Sequence, residues 1–137
     1  RQIQALMRSG PARIFLATGA LLLAVATAVG ALAAHALKAS LPTEQLAVLH
    51  TAVLYQFVHS LGLLAIGLLL IHFDSAAARA AGWLVTAGII LFCGSLYLLA
   101  AGWQGIGLAT PLGGLLLILG WLVFAAGLLL RPPAAKA

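Results

Sequence analysis

The stretch from Leu46 to Phe73, LAVLHTAVLYQFVHSLGLLAIGLLLIHF, limits what this chain can fold into more than any other. It contains no Asp, Glu, Lys or Arg and exceeds the roughly 20 apolar residues needed to cross the hydrocarbon of a bilayer. Yet its first half carries His50, Thr51, Tyr55, Gln56 and His59. On a helix, Thr51, Tyr55 and His59 recur every four residues and form one stripe, with Gln56 beside it. Hydrogen-bonding groups facing lipid are costly, so the stripe is expected to face protein or trapped water, with the other helices packed around it.

Composition agrees. The 137 residues are 64% hydrophobic and 7% charged, against about 25% charged in a soluble domain. Too little charge is present to wet a globule, so the chain reads as membrane-embedded. Its net charge of +5 does not point to nucleic acid, because Arg1, Arg8 and Arg13 precede the first apolar run and Arg131 and Lys136 follow the last. Charge that flanks spans is not a phosphate-binding patch. Cys93 stands alone within an apolar run and is expected to be a buried small hydrophobe.

The expected fold is an all-α integral membrane domain covering residues 1–137, a four-helix bundle with spans near 14–34, 46–73, 80–101 and 111–130. The first run is longer than a signal-peptide core of roughly 7–15 residues, so it is expected to be a retained span. Within it, Ala26, Gly30 and Ala34 form one small-residue stripe and Ala20, Ala24 and Ala28 another, and both are expected to be packing faces. Thr43 is a candidate cap for the second helix, and Glu44 suits its positive end. From Glu44 to about Leu54 that helix is expected to lie partly in the interface. Trp83 and Trp103 suit opposite interfaces, and Pro111 suits a first helical turn. Six Lys and Arg residues fall at the two termini and the second loop, against Lys38 alone in the first and third loops. This asymmetry predicts that both termini are cytoplasmic.

With that topology the polar side chains share one end. His35 closes the first span there, Glu44, His50, Thr51 and Tyr55 begin the second, and Ser95, Tyr97 and Thr110 flank the third loop. His59 is the deepest member, and its expected partners are Ser95, Tyr97 or His35. An ionisable group at membrane depth is a functional candidate. It fits best a neutral imidazole fastening two helices, ahead of a ligand- or water-binding group and then a metal or haem ligand. Metal is disfavoured because His50 and His59 are nine residues apart rather than three or four. His35 and His59 are the only conceivable haem pair. Glu44 and Asp74 sit at different faces, so no carboxylate pair is available for acid–base work and no acid completes a nucleophile triad. No enzyme activity, metal or cofactor is expected.

Four segments carry a family resemblance: GALAAHALK (30–38), TAVLYQFVHSLGLL (51–64), GIILFCGSLYLLA (88–100) and TPLGG (110–114). In order and content they resemble the YgdD/YwdK family of small bacterial inner-membrane proteins, a domain-of-unknown-function family with a small eukaryotic transmembrane relative. The resemblance runs from about Ile14 to Leu130. It implies a multi-pass inner-membrane protein of four helices without an assigned activity. The family pattern Gly-Ala-Phe-Gly-Ala-His at the first motif keeps His35 here but has its second glycine replaced by Ala34, which implies a looser helix contact. His50 and Leu54 stand where relatives often carry charge, so both read as dispensable. Residues that match the pattern are His35, Thr51, Tyr55, Gln56, His59, Gly94, Ser95, Tyr97, Thr110, Pro111 and Gly113. They coincide with the polar cluster derived above.

The favoured function is a non-catalytic accessory or interaction subunit of a membrane complex. The alternative is a small-molecule, lipid or ion-binding or transport protein that uses a periplasm-facing pocket around His59, Gln56, Tyr55 and Ser95, and a redox or metal subunit is third. Expected partners are membrane lipid and a larger membrane complex or a second copy, with no nucleic acid.

Overall fold

A computed structural model describes residues 1–4 and 10–136. Arg8, counted above among the cytoplasmic charges, lies outside the described residues. The chain forms helices α1 (Pro11–Ala34), α2 (Thr43–His72), α3 (Ala76–Ala100) and α4 (Ala109–Leu130), each long and apolar enough to cross a membrane. The expected spans are met within a few residues. Strand β1 (Phe73–Asp74) pairs antiparallel with β2 (Ala134–Ala135) at the end that also holds the start of α1. The opposite end carries the connections 35–42 and 101–108, and is called here the two-loop end.

Sequence explains where each helix stops. Pro11 opens α1 after Gly10, a position where the missing N–H is no loss. Thr43 is the first residue of α2 rather than its cap: Pro42 holds that place, and no side-chain cap bond forms. Ser75 caps α3 instead, its hydroxyl accepting from the Ala78 N–H at 3.1 Å. At the other end of α3, Gly102 takes a left-handed backbone (φ 91°). The Trp103 N–H then reaches Leu98 O and the Gly102 N–H reaches Leu99 O, both at 3.0 Å. This paired closure needs a residue without Cβ at Gly102.

The core follows the small residues. On α1 the buried positions Ala12, Gly19, Ala26 and Ala33 repeat every seven residues and face α2 and α3. Of the stripe Ala26, Gly30 and Ala34 expected on a packing face, Ala26 is fully buried and Gly30 half-buried, but Ala34 is exposed. Ala20, Ala24 and Ala28 were expected there too, but all three face outward. Two small-residue stripes on one helix lie on different faces, and α1 has its neighbours on one side only. Ala34, expected in place of the family's second glycine, is exposed, and its neighbour Ala33 is the one buried against Leu49 and Ala100.

Helix α4 is joined to α3 by a heptad of glycines. A Cβ on Gly113 would sit 2.7 Å from the Phe92 Cα and 2.9 Å from the Leu91 carbonyl carbon, and one on Gly120 would sit 2.8 Å from Val85 Cγ2. At Gly127 it would overlap the Ala77 Cβ. Backbones this close gain dispersion contacts along the whole seam, the interaction that holds helices together when lipid is the solvent. Side chains then complete the bundle. Phe15 of α1 is fully buried over Gly82 and edge-on to Trp83 of α3, with ring centroids 5.0 Å apart. Trp121 of α4 crosses to cover Gly62 of α2. Thus α2 and α3 form the central pair, with α1 in one groove and α4 in the other.

The C-terminal segment folds back across the end of α2. The Lys136 N–H donates to His72 O at 2.9 Å, and the Lys136 ammonium donates to Leu70 O. Together with the Phe73 N–H on Leu69 O, these bonds satisfy three of the last four carbonyls of α2, and the cation also suits the negative end of the helix dipole. Arg79 pairs with Asp74 beside this clasp, but both side chains are exposed and the pair contributes little.

Candidate functional site

Gln56 is the hub of the bundle. It sits 13 residues into α2, 2% exposed, with every polar atom facing protein. Its Nε2 donates to the Leu22 carbonyl of α1 at 2.7 Å, and its Oε1 accepts from the Tyr97 hydroxyl of α3. One side chain therefore ties three helices together. A backbone carbonyl has a second lone pair free after its helical bond, so Leu22 can accept from Gln56 without breaking α1.

His59 was expected to find Ser95, Tyr97 or His35. Its partner is Trp121, whose indole N–H donates to Nδ1 at 2.9 Å. Tyr97 is taken by Gln56, and Ser95 bonds Thr110 of α4 at 2.6 Å while donating to Phe92 O at 2.9 Å within α3. His35 caps α1 and is exposed. It lies near the level of Leu49, ten residues or about 15 Å of helix from His59. The only conceivable haem pair is therefore not assembled. Among the described residues no three His, Cys, Asp or Glu side chains come together.

The expected stripe of Thr51, Tyr55 and His59 does not turn inward as a whole. Thr51 is exposed, and its hydroxyl donates to Ala47 O one turn back at 3.1 Å. A threonine that satisfies itself on its own helix can face lipid cheaply. Tyr55 is 41% exposed and stacks between His59 and Phe92, with centroids 5.7 and 4.9 Å apart.

Nor do His59, Gln56, Tyr55 and Ser95 line one pocket. Adjacent residues on a helix point about 100° apart, so Tyr55 and Gln56 serve different neighbours. Gln56 and Tyr97 edge a slot of about 220 Å³ between α1 and α3, with Leu22, Val25, Ile89, Cys93 and Gly94. Tyr55 and His59 line another of about 300 Å³ between α2 and α4, with Phe92, Gly114, Leu117, Ile118 and Trp121.

Two residues hold places that the sequence did not assign them. Trp121 is one, because a tryptophan inside an apolar run carries no signal beyond bulk. Ser60 is the other: one turn beyond Gln56 on the α1 side, it is fully buried and its Oγ is the one buried side-chain polar atom without a partner among the described residues. A buried hydroxyl without a bond is a net cost, so Ser60→Ala should leave stability unchanged or raise it by about 1 kcal/mol in denaturant titration of the detergent-solubilised protein. A clear loss of stability would mean that the hydroxyl is bonded after all.

Four apolar helices, tied to one another through Gln56, His59 and Ser95, define a small polytopic membrane bundle. The chain belongs to the family described as "Protein of unknown function (DUF423)", whose model matches residues 29–114. It is 42% identical over 116 residues to a UPF0382 membrane protein of Staphylococcus saprophyticus, covering 84% of this chain and 96% of that one. With the UPF0382 membrane protein YwdK of Bacillus subtilis it shares 39% identity over 113 residues, 81% of this chain and 92% of the relative. A UPF0382 membrane protein of Staphylococcus epidermidis is 43% identical over 112 residues, covering 81% and 91%. No solved structure matches.

Proposed function

We propose that this protein is a non-catalytic accessory subunit of the bacterial inner membrane, with both termini in the cytoplasm, which acts by docking to a larger membrane complex. One observation carries this reading: three pairs of polar side chains bond across helices inside the bundle rather than line a common path. Gln56 with Tyr97, His59 with Trp121 and Ser95 with Thr110 are inter-helix ties. The two acids, Glu44 and Asp74, lie in the first turn of α2 and in β1. A proton- or cation-coupled carrier is expected to carry an intramembrane Asp or Glu, and an acid–base catalyst needs a converging pair.

Native electrophoresis of membranes solubilised in mild detergent tests the role. The protein is expected to migrate with a larger assembly, and recovery only as a free monomer would refute it. Topology has its own check. In intact cells a membrane-impermeant maleimide should label Lys38→Cys, while Ala134→Cys should react only after lysis. The reverse pattern would invert the orientation that the Lys and Arg distribution supports.

A further inference from the structure

The slot between α2 and α4 has a ligand chemistry separate from the docking role. Because Nδ1 of His59 accepts from the Trp121 indole, it carries no proton. The ring is then the neutral tautomer with its proton on Nε2. Nε2 has no partner among the described residues, and it is not among the buried unpartnered atoms, so it is open to a ligand. The Tyr55 hydroxyl, one turn nearer the two-loop end, likewise makes no hydrogen bond among the described residues. Two side chains that can donate, on successive turns, thus line one slot.

Its walls are flat. The imidazole stacks near Trp121 (6.1 Å between centroids, 26° between planes), and Tyr55 and Phe92 continue the aromatic surface. The volume, about 300 Å³, is at the lower end of the range for small-molecule sites. Depth narrows the ligand further. Trp121 lies about 18 Å of helix from Ala109 and about 14 Å from Leu130, which places the pair near mid-membrane. Phospholipid head groups stay at the interface, and a carboxylate at that depth is costly. A bare acyl chain would leave the N–H unsatisfied in hydrocarbon, where each such group costs several kcal/mol. What remains is a planar, uncharged ring bearing carbonyl oxygens.

We infer that this slot binds the ring of a lipid-soluble quinone, whose carbonyl oxygens accept from His59 Nε2 and the Tyr55 hydroxyl while its tail lies among the acyl chains.

The full chain carrying Trp83→Phe and Trp103→Phe, so that Trp121 alone emits, is reconstituted in nanodiscs and titrated with a benzoquinone bearing a decyl tail. Saturable quenching is expected. His59→Phe keeps an aromatic ring but loses the donor, and should weaken binding about tenfold. A Cβ on Gly114 meets nothing closer than 3.6 Å, so Gly114→Leu is expected to fill the slot without opening the helix seam and to abolish saturation. Melting curves verify that both variants fold. Quenching that rises linearly and identically in all variants would overturn the proposal, as would equal competition by decylbenzene, which has no acceptor. Neither result bears on the docking role, which electrophoresis reads separately.

Discussion

Replacing Gly113 by leucine should cost the largest share of stability of any single substitution in this bundle. The new Cβ would lie against the Phe92 Cα and the Leu91 carbonyl carbon, and backbone atoms cannot rotate away as a side-chain tip can. Relief requires α3 and α4 to separate at the two-loop end, which also stretches the 2.6 Å bond between Ser95 and Thr110. Overpacking of this kind costs about 1–3 kcal/mol, and a backbone clash belongs at the upper end. The neighbouring glycine is the control. Gly114→Ala meets ordinary contact distances and should be neutral or gain up to about 1 kcal/mol from helix propensity. Denaturant titration in detergent micelles compares the two. Equal stability of Gly113→Leu and Gly114→Ala would show that the seam is looser than described.

Gln56→Leu is expected to be nearly as damaging, for a different reason. It removes the bond to Leu22 O and leaves the Tyr97 hydroxyl without its acceptor inside the membrane. A loss of about 1–3 kcal/mol follows from the stranded group rather than from the missing bond alone. Tyr97→Phe strands the Gln56 oxygen in turn. The double variant Gln56→Leu with Tyr97→Phe strands neither, so its loss should be clearly smaller than the sum of the two single losses. Strict additivity would mean that the two side chains do not interact.

Much of the architecture could be read from the sequence, because hydropathy acts on whole segments. The runs ending at Ala34 and Leu130 stop where the helices stop, and charge, proline or glycine marks the boundaries. Gln56 and Tyr97 were recognised as inward-facing on the simple ground that amides and phenols avoid hydrocarbon. Pairing was less accessible, since partners depend on the rotation of each helix about its axis. Spacing alone made Ala20, Ala24 and Ala28 as good a packing stripe as Ala26, Gly30 and Ala34, whereas the buried small residues follow the seven-residue repeat Ala12, Gly19, Ala26 and Ala33. The same ambiguity assigned His59 to Tyr97 or Ser95, whereas the indole of Trp121 reaches it across the bundle. Thr51 misled for a local reason: its hydroxyl closes on its own helix, so facing lipid costs it little.

The bonds from Lys136 to Leu70 and His72 have a consequence for biogenesis. Residues 72 and 136 can meet only if an even number of crossings separates them, so the clasp cannot close while just one of α3 and α4 has inserted. A chain that stalls with one of these two hairpin arms left outside the bilayer leaves the last carbonyls of α2 without those partners.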